Sequence, residues 1–337
     1  MVKIGDIAKA TGYSVTTVSK ALNNYTDISE KARASIIKMA SEMGYIPNAQ
    51  ARGLVMRRSF TIGLMLDEIL GLGIEHPFFS GLIQSFRDAI EEQGFDMIFI
   101  SNQIAKGPIE TYLDHCRQRN VDGVFILCTD PNDPGIKQLM NSDIPSVIFD
   151  VVTEKSNCVL SNHYQGAFDA VNYLVALGHK RIAHIYGTEL TFAGAERKRA
   201  YQDAMNYHDL PVIEEYMING GYFDFRYGKK AMEALLELTE PPTAVFAAGD
   251  IMALGAMKAC YERHIRIPED LSIIGFDNVK MLEWITPALT TVAQDVVEIG
   301  RACCEILMDS IKEKEKKPVK RIVKTFIVER ESCKALQ

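Results

Sequence analysis

The side chains best placed for chemistry lie near the amino terminus, and they suit recognition of a nucleic acid rather than transformation of a substrate. In the stretch from Val15 to Asn23, helical spacing turns Val18, Ala21 and Leu22 to one face and Val15, Thr16, Ser19 and Lys20 to the other. Small polar groups and one cation on an exposed helix face fit the major groove of duplex DNA. Any small helical hairpin would share the same turn signals.

Signatures of catalysis are missing. There is no G-x-S-x-G, no H-E-x-x-H and no G-x-x-x-x-G-K-[ST], and the seven histidines are scattered. We therefore expect no enzyme activity, no cofactor and no metal.

The elements that would carry the DNA-reading face are legible in the same stretch. Ile4, Ile7 and Ala8 recur at helical spacing, Gly12 can end that helix in the left-handed conformation, and Ser14 can cap the next. The result is helix-turn-helix geometry, in which the start of the second helix meets base edges. Ser29 then caps a third helix, with Ala32, Ile36, Ala40 and Met43 closing a small core before Gly44. Residues 49–56 form a segment too short to hold a helix unaided.

Charge is distributed in the same sense. Residues 1–60 hold nine Lys or Arg against four Asp or Glu, a net +5, so the rest of the chain carries −12 of the overall −7. A basic head on an acidic body can approach phosphates through one end only. The length, 337 residues, suits two or three domains, and 47% hydrophobic with 24% charged residues is the composition of a soluble globular protein. No apolar run reaches membrane-spanning length, and no secretory signal opens the chain. Seven cysteines without a C-x-x-C read as free thiols in a reducing compartment, so we expect a cytoplasmic protein with no membrane partner.

From residue 60 the texture changes to short β-branched runs alternating with amphipathic helices. Strands are predicted over 61–66, 95–101, 123–128, 145–150, 181–187, 243–248 and 271–276. Helices are predicted near 79–93, 109–119, 164–177, 194–207, 226–238 and 250–263. Alternation of this length predicts two parallel sheets covered on both faces. We place the break between them near 151–157, with return crossings around 288–294 and 317–320.

Several well-spaced motifs resemble one family. The run from Ile4 to Asn23, then Gly44-Tyr-Ile-Pro-Asn48, His76-Pro-Phe-Phe79, Leu177-Gly-His-Lys-Arg-Ile182, Ala253-Leu-Gly-Ala256, Ile274-Gly-Phe-Asp277 and Pro287-Ala-Leu-Thr-Thr291 are similar to the lac repressor family (LacI/GalR) over nearly the whole chain. The resemblance implies an all-α helix-turn-helix head at 1–46 and a hinge helix at 47–59. It also implies an α/β core of two doubly wound parallel-sheet subdomains like a periplasmic binding protein, 60–152 with 291–318 and 153–290 with 319–337. It implies a homodimer on pseudo-palindromic double-stranded operator DNA, with a small effector, a sugar by preference, held between the subdomains.

Residue by residue, the resemblance puts Val15, Thr16 and Lys20 at base-reading positions. Ser14, Thr17, Ser19 and Asn23 would contact backbone phosphates, and Leu54 would be the hinge leucine that wedges into the minor groove. In the core it implies effector contacts from Asp150, Arg197, Asp250 and Asp277, with Phe223 stacking on a ring and Phe78 and Phe79 facing it from the other subdomain. Asp150 and Asp277 could instead be turn or cap residues, and the two phenylalanines plain core. One departure stands out: many sugar-responsive relatives have Asn before the Asp at 250, and this chain has Gly249. The reading is a repressor of a carbohydrate-use operon released by its effector. The alternatives are a corepressor-dependent regulator responding to a nucleobase or other metabolite, and a solute-binding module without DNA function.

Overall fold

The computed structural model describes residues 2–23, 25, 27–46, 58–66, 73–101, 111–127, 130, 132–154, 156–313 and 317–336. Its contacts divide the chain into two units, Met1–Phe60 and Thr61–Gln337. Leu54 and most of the expected hinge, residues 47–57, lie outside the described residues.

In the first unit the turn chemistry acts as the sequence suggests. Gly12 takes a φ of 75° and its amide meets the Ala8 carbonyl at 2.9 Å, ending α1 (Ile4–Thr11). Ser14 Oγ accepts from the Thr17 amide at 3.1 Å and starts α2 (Val15–Leu22). Ser29 Oγ accepts from the Ala32 amide at 3.3 Å and starts α3 (Glu30–Glu42). Ile7, Val18 and Ile36, none with any exposed surface, meet at the centre with Ala8, Ala21 and Ala40 around them.

The second unit has two lobes, each built on a six-stranded sheet. The first lobe contains β1 (Thr61–Leu66), β2 (Asp96–Ile100), β3 (Gly123–Leu127), β4 (Ser146–Phe149), β5 (Asn157–Ser161) and β11 (Lys320–Val323). They run parallel in the order β11-β5-β4-β3-β1-β2. Helices α5 (Tyr112–Arg119) and α6 (Pro134–Met140) pack on one face through Leu113, Cys116, Ile136 and Leu139. On the other face α4 (Pro77–Glu92) and α11 (Val296–Lys312) pack together, and Phe86 of α4 lies 4.3 Å from Phe125.

The second lobe contains β6 (Ile182–Tyr186), β7 (Met217–Asn219), β8 (Ala244–Ala247), β9 (Ser272–Asp277), β10 (Thr290–Gln294) and β12 (Thr325–Val328), in the order β12-β10-β9-β8-β6-β7. Only β12 is antiparallel to its neighbour. Helices α7 (His163–Ala176) and α8 (Phe192–Tyr207) cover one face, and α9 (Phe225–Leu236) and α10 (Asp250–Glu262) the other. Both lobes are the doubly wound parallel layers expected. Strand ends in such sheets make binding crevices.

The crossings between lobes come later in the chain than expected. Asn157–Ser161 pairs with β4 and β11 and so stays in the first lobe, Thr290–Gln294 stays in the second, and the last crossing falls between Val323 and Thr325. Backbone pairing, rather than local composition, sets these points. The first and last crossings are joined: the Asn162 amide donates to the Val323 carbonyl at 2.9 Å, and Thr325 Oγ1 donates to the Asn162 carbonyl at 3.1 Å.

Among the described residues no helix is long and apolar enough to cross a membrane, and no group of three His, Cys, Asp or Glu could hold a metal ion. The described cysteines are unpaired, and burial pushes the Cys116 and Cys260 thiols up to about 12. Such thiols are poor nucleophiles at neutral pH.

His184, on β6, is sandwiched between Tyr201 at 4.8 Å and Phe246 at 4.6 Å. Its Nδ1 donates to the Phe246 carbonyl at 2.9 Å, and its Nε2 has no partner. Burial pushes its pKa from 6.5 down to about 3. Above pH 6.5 the ring is neutral in both states; below it the unfolded chain gains a proton that the folded chain refuses, so stability falls with pH until about 3. The slope from one such proton is about 1.4 kcal/mol per pH unit. We expect His184→Phe to flatten the fall in melting temperature between pH 6.5 and 4, measured by calorimetry, whatever its effect at pH 7.5. An acid profile identical to wild type would show that other groups govern it.

Candidate effector and DNA sites

In the head, α2 presents the residues expected to meet DNA. Val15 is 50% exposed and Thr16 lies beside it, while Val18 and Ala21 are buried beneath. Ser14 and Thr17 are committed to the cap, their hydroxyls 2.8 Å apart, and the Asn23 carboxamide donates to the Ser19 carbonyl at 2.9 Å. Lys20 pairs with the Asp27 carboxylate, and this bond holds Asp27 below the usual carboxylate range. The cation that would donate to a base is thus already engaged.

In the second unit the site grows from one buried cation. Arg197, in the second turn of α8, is 3% exposed, and its guanidinium carbon lies 3.7 Å from the centre of the Phe276 ring and 5.6 Å from that of Phe223. Its Nη1 donates to the Ala248 carbonyl, and its Nη2 donates to Asp277 Oδ1 at 3.3 Å and to His163 Nδ1 at 3.1 Å. Nε reaches the same His163 nitrogen at 3.3 Å. Arginine only donates, so Nδ1 of His163 must carry a lone pair and Nε2 the proton. That Nε2 donates to Asp150 Oδ2 at 2.7 Å, and Asp150 Oδ1 accepts from the Ser161 amide at 3.0 Å. On the other side Gln294 Nε2 donates to Asp277 Oδ1 at 2.7 Å.

The structure therefore brings together Asp150, Arg197, Asp277 and Phe223 of the expected set. Burial pushes the Arg197 guanidinium down, and Asp277, Asp150 and Asp250 oppose that push. Asp250 itself departs from expectation. It has no exposed surface, its Oδ1 accepts from Thr291 Oγ1 at 2.6 Å and its Oδ2 from the Val279 amide at 2.9 Å. Oδ2 braces the loop after β9 and Oδ1 is taken by β10, so both carboxylate oxygens are already engaged within the protein. Burial and the nearby Asp277 push its carboxyl well above the usual range.

Phe78 is likewise core: it is 5% exposed and its ring lies 6.0 Å from that of Phe149. Phe79, half-buried beside it, is the more reachable of the two. Phe223 packs on Gly187, where an added Cβ would come within 2.3 Å of its ring, and on Gly249, where the distance would be 3.2 Å. A side chain at 249 would crowd that ring.

Backbone strain collects here too. Asp150, Phe223, Asp277 and Asn278 have φ of 55°, 60°, 118° and 57°. Strain of this kind costs of order 1–3 kcal/mol per residue and persists where surrounding structure enforces it.

The sequence reading missed four polar residues. His76, the residue capping α4, is 9% exposed with both ring nitrogens unpartnered; burial pushes its pKa down, while Asp277 and Arg197 of the other lobe act on it in opposite senses. Ser161 Oγ and Gln294 Oε1 are also buried without partners. His163 is the fourth omission. His163, Ser161 and Gln294 all lie at or just after a strand's carboxyl end, and the same strand-end rule that found Asp150 and Asp277 would have found them had β5 and β10 been recognised.

Comparison with known proteins settles the family. Residues 3–48 match the model "Bacterial regulatory proteins, lacI family" and residues 171–333 match "Periplasmic binding protein-like domain". The chain is 36% identical to the probable HTH-type transcriptional repressor ExuR of Bacillus subtilis (strain 168), over 100% of this chain and 99% of that one. It is 32% identical to the HTH-type transcriptional repressor PurR of Yersinia pestis (strain Pestoides F), over 98% and 97%. The chain belongs to the lacI family. A solved structure, the transcriptional regulator CelR in complex with cellobiose, superposes with a TM-score of 0.71 at 28% identity, covering 98% of this chain and all of that one. As a lacI-family member the chain is a DNA-binding transcriptional regulator with a ligand-binding domain.

An exposed ion pair contributes little, because water and salt screen it. Neutralising Asp27 frees Lys20 and removes a negative charge beside the residues expected to meet DNA, so Asp27→Asn should tighten binding to duplex DNA about two- to fivefold at low salt, with the gain shrinking as salt rises. Fluorescence anisotropy with a labelled duplex reads this directly; weaker binding would mean that the pair instead orients Lys20 for contact.

Proposed function

We propose that this lacI-family regulator is a homodimeric, cytoplasmic repressor of a carbohydrate-use operon, released from its operator when a sugar or sugar derivative enters between the two lobes. The observation that carries the reading is the set of buried polar atoms without partners. Gln294 Oε1 and His76 Nδ1 and Nε2 belong to residues that bond to or feel the charge of Asp277, and Ser161 Oγ to a residue whose amide bonds to Asp150. Unmet buried donors and acceptors cost about 1–3 kcal/mol each, and a hydroxyl-rich ligand supplies both kinds of partner. The carboxylates of Asp150 and Asp277 favour hydroxyl donors, and Phe223 and Phe79 offer apolar faces to a ring. The cellobiose held by CelR points to the same ligand class.

On the DNA side, Val15, Thr16 and Lys20 read base edges, Ser14, Thr17, Ser19 and Asn23 fix register on phosphates, and Leu54 wedges into the minor groove at the operator centre. Effector entry shifts the lobes, changes the spacing of the two heads in the dimer and lowers operator affinity. A second reading, a nucleobase acting as corepressor, draws on Gly249, which lacks the amide that would bracket a sugar hydroxyl, and on the likeness to PurR.

A thermal-shift panel of pentoses, hexoses, uronates, cellobiose and nucleobases separates the two. A ligand at a hundredfold excess over its Kd adds about 2.7 kcal/mol, a shift of several degrees. We expect a sugar to produce it and Arg197→Ala to abolish it. A shift from nucleobases alone would replace the first reading with the second, and silence from every compound would remove both. Leu54→Ala should weaken operator binding about tenfold or more while leaving the sugar-induced shift unchanged; equal operator affinity would count against the wedge.

A further inference from the structure

We infer that His163 is a positioning residue that couples Arg197 in the effector cleft to the hinge between the lobes. This rests on the reading of Arg197 as an effector contact. His163 is the first residue of α7, immediately after the chain leaves β5 of the first lobe, and it is 1% exposed. It touches Asp150 on the first lobe through Nε2 and Arg197 on the second through Nδ1. Phe192 and Phe276 hold the ring edges, with centroids 5.8 and 5.9 Å away.

An imidazole is rigid, so its two nitrogens move as one. If a ligand draws Arg197 towards itself, Nδ1 loses its donors and the ring must shift, carrying the Nε2 proton with it and loosening the bond to Asp150. Asp150 in turn holds the Ser161 amide at the end of β5, so the disturbance arrives where the chain crosses between lobes. The neighbouring Asn162 is bonded to both sides of the last crossing, Val323 and Thr325. The remaining crossing, after β10, is reached through Asp277 and Gln294. The crossing after β10 is thus two hydrogen-bonded residues from the guanidinium, the first crossing lies beside His163 itself, the last is reached through Asn162, the chain neighbour of His163, and the His163 side chain bonds to both lobes.

The test uses the full-length chain, no effector, and a duplex selected from a random library by the wild-type protein. Substituting Arg197 by Lys mimics the loss of the guanidinium's contacts, and the response is read as operator affinity in a double-mutant cycle. Arg197→Lys should change operator affinity at least fivefold in the wild-type background and less than twofold in His163→Leu. His163→Gln, whose carboxamide carries a donor and an acceptor, should retain most of the response. A merely structural histidine would lower the melting temperature and leave the fold-change from Arg197→Lys the same in both backgrounds, which overturns the proposal. So does the absence of any response in either background. Should His163→Leu fail to fold, His163→Asn, too short to span both partners, takes its place with the same expectations. Because the cycle contains no sugar, failure of the effector reading is seen separately, in the thermal-shift panel.

Discussion

A guanidinium removed from water governs the architecture of the second unit. Arg197 can be buried only because acceptors and a π face surround it: the Asp277 carboxylate, the Ala248 carbonyl, the lone pair of His163 and the Phe276 ring. A buried cation without such partners would cost several kcal/mol. Those partners come from the ends of β8 and β9 and from the crossing after β5, with Asp150 behind His163 after β4. The need to satisfy one side chain therefore fixes where four segments end, and leaves their carboxyl ends gathered on a single crevice.

Within that crevice two acids near one another take different roles because their surroundings differ. Asp250 is satisfied entirely by a backbone amide and a threonine hydroxyl, and burial pushes its carboxyl up. Asp277 shares Arg197 and Gln294 and lies within electrostatic reach of His76 across the cleft. One holds a loop; the other is shared between a cation and an amide. Sequence position alone does not separate them, since both follow apolar strands in the same lobe.

Much of the architecture was legible because local chemistry and tertiary structure agree. Gly12, Ser14 and Ser29 set the helix ends of the head through interactions among close neighbours, and β1, β3, β6, β8 and β9 are short apolar runs buried on both faces. The strands that were missed lack that signature. Lys320–Val323 and Thr325–Val328 are edge strands with partly exposed side chains, and Asn157–Ser161 and Thr290–Gln294 mix polar residues into their runs. Their pairing depends on partners far away in the chain, so the lobe boundaries slipped, and with them went His163 and Gln294. Asp150, Arg197, Asp277 and Phe223 came from family resemblance and are found together. Asp250 spends both oxygens on Thr291 and Val279, and Phe78 packs on Phe149, partners that only the folded chain reveals.

On the proposed function, both recognition surfaces share a logic of exchange, with different consequences. Lys20 rests on Asp27 and Arg197 on Asp277 before any partner arrives, so each incoming ligand must replace a contact rather than add one. At the surface the replacement is cheap: Lys20 and Asp27 are 39% and 54% exposed, and water and salt already compete for both. A phosphate or a base edge can displace such a pair at little cost. In the cleft the guanidinium cannot be left bare, because an unpaired buried charge costs about 3–5 kcal/mol. A small molecule gains Arg197 only by presenting acceptors in the same positions while meeting His76, Ser161 and Gln294. Selectivity is therefore steepest at the buried pair, where a wrong ligand leaves charge unmatched rather than merely failing to add a bond.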